Sequence, residues 1–68
     1  MSDIKEKVGT QIKEARKSKG MTQKELGDKL GVSDSTVTQY ESGKQNLTIE
    51  TLHKIAEAIG VTFSTVFK

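Results

Sequence analysis

TQKELGDKLGVSDSTVTQYESGK, residues 22–44, decides the fold. Two short amphipathic segments flank Gly31-Val32-Ser33. Leu26 and Leu30 lie on one face of the first, Val37 and Tyr40 on one face of the second, and Val32 sits between them. Gly27 has no Cβ where the second segment crosses the first, and Gly31 permits the positive φ that reverses the chain. Thr22 followed by Glu25 three residues later reads as a capping box, and Ser33 as an N-cap. Each feature alone is commonplace, but together at this spacing they predict two crossed helices over residues 22–43.

Working outward, Ile4, Val8, Ile12 and Ala15 recur at helical spacing and mark an earlier helix that ends near Lys19, with Gly20 as its left-handed cap. After the loop Lys44-Gln45-Asn46 and Leu47, Thr48 is an N-cap and Glu50 an acid in the first turn. Leu52, Ile55, Ala56 and Ile59 then form the most apolar helix, which Gly60 stops. Thr62 is placed to cap a last short helix bearing Phe63, Val66 and Phe67. The expected architecture is all-α: a compact five-helix bundle, one domain over residues 1–68, with no repeat, linker or low-complexity segment.

Bulk properties narrow the function. With no cysteine and no cluster of His with Asp or Glu, neither disulfides nor thiolate-metal sites stabilise the chain, so helix packing must do so. No apolar run approaches the ~18 residues of a membrane span, and the opening MSDIKEKVG is charged. A cytoplasmic protein is expected, without cofactor, membrane contact or small-molecule substrate. The net charge of +2 argues only weakly for a polyanionic partner. Its distribution says more: residues 1–20 set Lys5, Lys7, Lys13, Arg16, Lys17 and Lys19 against Asp3, Glu6 and Glu14, whereas residues 21–43 are net acidic.

The central motif, the lead-in VGTQIKEARKSKGMTQKEL, the ESGK that follows, and the tail TIETLHKIAEAIGVTFSTVF together resemble the helix-turn-helix domains of phage repressors and Cro proteins, the XRE family. The resemblance covers nearly the whole chain. It implies the lambda-repressor-like five-helix fold, dimeric binding to a two-fold DNA operator, and transcriptional control, more often repression than activation. It also implies a partly buried ion pair between Arg16 and Glu41 that joins the first helix to the end of the third.

In docked family members the N-terminal part of the third helix enters the major groove, which makes Ser33, Asp34, Ser35, Thr38 and Gln39 the expected base contacts. At ~100° per residue Ser35, Thr38, Gln39 and Ser42 share a face opposite Val37, Tyr40 and Glu41. The Gln39 carboxamide matches N6 and N7 of adenine, the Thr38 methyl suits a thymine methyl, and Ser35 bonds to several bases. Asp34 has two readings: an acceptor for cytosine N4, or a first-turn acid that stabilises its own helix. The third helix has no Lys or Arg and so departs from the commonest guanine-reading contact. Phosphate contacts are expected from Gln23, which matches a family clamp position, and from Ser42, Gly43, Lys44, Gln45 and Asn46. For Gln45 and Asn46 a plain solvated loop reads equally well.

Two other functions compete. One is a protein-binding module on the same fold, an antitoxin or an adaptor, for which the polar and uncharged third-helix face argues. The other is an enzyme, but His53 is the sole histidine and reads as a surface residue, and Ser33, Ser35 and Thr36 read as helix-start residues, not nucleophiles. No enzyme is expected. A homodimer is expected to use the apolar C-terminal end, with Phe63 as the contact and Val66 and Phe67 sealing the core.

Overall fold

Among the described residues, hydroxyl side chains start three helices and left-handed glycines follow the helix ends. The computed structural model describes residues 4–45 and 47–62. Among these residues four helices follow in order: α1 (Ile4–Ser18), α2 (Gln23–Leu30), α3 (Asp34–Ser42) and α4 (Ile49–Ile59). Thr22 Oγ1 accepts from the Glu25 N–H at 3.0 Å, and Glu25 Oε1 accepts from the Thr22 N–H at 2.9 Å, which completes the capping box. Ser33 Oγ takes the Thr36 N–H, and Thr48 Oγ1 the Thr51 N–H, at the starts of α3 and α4. Gly31 adopts φ 76°, and the next N–H, from Val32, returns to the Gly27 carbonyl at 2.9 Å. That bond closes α2 and turns the chain toward α3.

The core takes one or more residues from every helix. Ile12 of α1, Leu26 of α2, Val37 of α3 and Leu52, Ile55 and Ile59 of α4 are buried against one another. Val8, Ala15, Met21, Leu30, Val32, Tyr40 and Leu47 pack around them, half-buried. α3 lies against both α1 and α2, while α4 backs onto α2 and α1. α3 is therefore held from two sides, with its remaining face outward.

Two points, at Ile4 and Gly27, refine the sequence reading. Ile4 is 71 % exposed, so the inward stripe of α1 begins at Val8. Ile49, on the first turn of α4, is also exposed. A Cβ on Gly27 would fall 2.8 Å from the Val32 carbonyl oxygen and 3.3 Å from Ser33. The small residue thus makes room for the backbone of the turn, not for the crossing helix itself. The expected fifth helix, with Phe63, Val66 and Phe67, and the loop residue Asn46 lie outside the described residues. Among the described residues no helix is long and apolar enough to cross a membrane.

Candidate nucleic-acid interface

The outward face of α3 is only as well defined as the seat beneath it, and that seat is on α1. Gly9, in the middle of α1, meets the last turn of α3: a Cβ there would lie 2.6 Å from the Glu41 carbonyl oxygen and 2.9 Å from that of Tyr40. One turn earlier, a Cβ on Gly43 would stand 2.7 Å from the Glu6 Cα. These two glycines let the backbones of α1 and of the end of α3 touch. Arg16 and Glu41 lock the contact. Arg16 Nε donates to Glu41 Oε2 at 2.6 Å and Nη2 to Oε1 at 3.1 Å, with both residues buried. Arg16 Nη1 also donates to the Met21 carbonyl at 2.7 Å, so one guanidinium joins α1, the turn before α2, and α3. A planar fork serves a bidentate site in a way that a lysine ammonium cannot.

From Glu41 the hydrogen bonds run outward to the surface. Gln23 Nε2 donates to Glu41 Oε1 at 3.1 Å. The other end of the same carboxamide, Oε1, accepts from the Thr38 hydroxyl at 3.0 Å. That hydroxyl also lies 3.1 Å from the Asp34 carbonyl. The first residue of α2 is thereby tied to the middle of α3. Among the described residues every buried side-chain nitrogen or oxygen has a partner.

Ser33, Asp34, Ser35, Thr38, Gln39 and Ser42 are all exposed, as expected of one outward row on α3. Apart from the Thr38–Gln23 bond, their hydrogen bonds are local. Ser33 Oγ is used as the cap, Ser42 Oγ donates to the Gln39 carbonyl at 3.0 Å, and the Gln45 carboxamide donates to that of Gln39. Asp34 is the first residue of α3, where its charge favours the helix dipole. Glu41 is neutralised by Arg16, so Asp34 is the one charge on the exposed face of α3. Lys44, just past the helix, is exposed, while Gln45 is half-buried beside Ile4, Val8, Leu47 and Leu52. Glu25 titrates below the ordinary glutamate value, chiefly because its carboxylate accepts from the Thr22 backbone and side chain. Among the described residues no group of three or more His, Cys, Asp or Glu is arranged to hold a metal ion.

The structure thus brings the expected base-contact residues onto one surface and forms the expected Arg16–Glu41 pair. It gives Gln23 a second occupation, in the network between Glu41 and Thr38, besides its place at the start of α2. Sequence reasoning passed over Gly9. A glycine within a helix that has no other breaker is itself a packing signal, since it disfavours the helix by about 1 kcal/mol relative to alanine. The Gln23–Thr38 and Gln45–Gln39 pairs had no comparable signal, because they depend on rotamers.

Known proteins share the sequence pattern and the fold. The helix-turn-helix family model matches residues 12–66. An HTH-type transcriptional regulator of Sinorhizobium fredii, y4dJ, is 35% identical over 60 residues, covering 88% of this chain and 78% of its own. Endothelial differentiation-related factor 1 of Homo sapiens is 41% identical over 54 residues, 79% of this chain, but the match spans only 36% of that protein's length. Among solved structures, the restriction-modification controller protein C.Esp1396I, a tetramer in complex with its natural 35 base-pair operator, superposes with a TM-score of 0.86 at 33% identity. That match covers 98% of this chain and 88% of the controller. With most of its length matched in sequence and its fold matched in space, this chain is a member of the helix-turn-helix family.

Proposed function

We propose that this protein is a sequence-specific DNA-binding transcriptional regulator, a repressor, that works as a single five-helix domain in the cytoplasm. Two copies bind a two-fold operator, each inserting α3 into the major groove. The observation that carries this reading is the exposed polar row Ser35, Thr38, Gln39 and Ser42, held rigidly outward by the buried Arg16–Glu41 pair. The missing charge on this face is what keeps a protein-binding module as the rival, but its hydrogen-bonding groups suit base edges and the row carries no apolar anchor of the kind that dominates protein interfaces. The operator-bound controller adds the precedent of a relative at this similarity.

In this reading Ser33, Asp34, Ser35, Thr38 and Gln39 meet bases. Gln23, Ser42, Gly43, Lys44, Gln45 and Asn46, together with free backbone N–H groups at the start of α2, hold phosphates on either side. The half-sites lie about one helical turn, ~34 Å, apart, and Phe63 contributes to the contact between the two copies. No catalytic step and no cofactor is involved. Titration of fluorescent duplex with protein at increasing salt tests the proposal. Phosphate neutralisation gives a steep linear fall of log affinity with log salt, and absence of binding even at low salt returns the weight to a protein-binding module.

A further inference from the structure

The hydrogen-bond chain beneath α3 has a direction. Arg16 can only donate, and the ionised Glu41 can only accept. Glu41 therefore faces the amide nitrogen of Gln23, which leaves the carbonyl oxygen of Gln23 facing Thr38. Were Gln23 turned over, two oxygens would meet at 3.1 Å and the bond to Glu41 would be lost. The second acceptor near Thr38, the Asp34 carbonyl at 3.1 Å, lies on the protein side as well. The single hydroxyl hydrogen of Thr38 thus has two acceptors within the protein.

We infer that Thr38 reads DNA as an acceptor only: its oxygen takes a hydrogen bond from the exocyclic amino group of adenine or cytosine and does not donate to purine N7, guanine O6 or thymine O4. Gln23 is the positioning residue for this contact and Glu41 fixes its orientation. The inference rests on the DNA-binding reading and sharpens it. It separates two roles that a serine or threonine on a recognition helix ordinarily combines, since a free hydroxyl both donates and accepts. The polarity is set from the buried ion pair, one hydrogen bond at a time: Arg16 to Glu41, Glu41 to Gln23, Gln23 to Thr38.

The test uses the full chain and the operator selected by it from random duplexes. Each adenine or cytosine of a half-site is replaced in turn by the analogue lacking its amino group, purine or pyrimidin-2-one, and each purine by its 7-deaza analogue. Binding is measured with the parent, with Thr38→Val, which keeps the shape of the side chain without the hydroxyl, and with Gln23→Met, which keeps its length without the carboxamide. The expected result is one amino group whose removal weakens the parent by roughly fivefold, the worth of one hydrogen bond, and does not weaken Thr38→Val. In Gln23→Met the same sensitivity shrinks, a change in base preference that a lost phosphate contact or a loosened fold does not produce. A 7-deaza substitution whose cost disappears in Thr38→Val overturns the inference, as does an amino-group sensitivity that is the same in all three proteins. Failure of the parent to select any operator overturns the DNA reading itself, and this inference with it.

Discussion

Arg16 and Glu41, 25 residues apart in sequence, meet through two hydrogen bonds and stand between the core and the outward face of α3. Their burial means that the attraction between them is largely offset by desolvation, while the loss of one partner strands the other. Arg16→Ala should therefore destabilise the fold by about 3–5 kcal/mol. An apolar pair, Arg16→Met with Glu41→Leu, should recover most of that loss. Urea denaturation of the three proteins checks both statements, and a parent-like midpoint for Arg16→Ala contradicts them.

Gly9→Ala should also destabilise, by roughly 1–3 kcal/mol, although alanine is the better helix former. The added methyl meets the backbone of α3, which cannot move aside like the end of a flexible side chain. The Gly20→Ala change offers a contrast, because space there is open and only the positive φ opposes it. Thermal melts showing Gly9→Ala more stable than the parent would contradict this close backbone contact between α1 and α3.

Most of this fold is legible in the sequence, for a physical reason. Caps, turns and the apolar stripe are local, and Thr22, Ser33, Thr48, Gly31 and Gly43 each announce a boundary through chemistry that acts within four residues. The members of the α3 row follow from helical angle alone, and Arg16–Glu41 followed from the family resemblance. Contacts between distant side chains are different. Gln23 has the same local sequence whether it bonds to Glu41 and Thr38 or stands free in solvent, and only the packing of α2 on α3 decides it. Ile4 shows the converse error: it obeys the helical period of α1 yet lies beyond the end of the buried stripe.

Gln39 and Lys44 should separate base reading from phosphate holding. Gln39→Ala should relax the preference at one position of each half-site, costing about 1–3 kcal/mol there. Lys44→Ala should weaken all sequences alike and reduce the salt slope by roughly one unit per site. Competition binding against single-position operator variants at two salt concentrations distinguishes the two patterns.

The capping box gives α2 a pH dependence. The folded-state pKa of Glu25 is lowered by its bonds to Thr22, so its contribution is fully present above the ordinary glutamate value and is lost as pH falls through the lowered one. The stability difference between the parent and Glu25→Gln should be constant near neutrality and should change in the parent's disfavour as the solution is acidified below that ordinary value. Urea midpoints of both proteins from pH 7 downward measure it, and parallel curves throughout would remove Glu25 as a titrating support.

Selection of bound duplexes from a random DNA library at two salt concentrations tests the central claim most directly. An inverted repeat with half-sites about one helical turn apart, weaker at the higher salt, is the predicted result. No enriched sequence, with binding absent even at the lower salt, would contradict a DNA-reading role for α3 while leaving the fold and its buried ion pair intact.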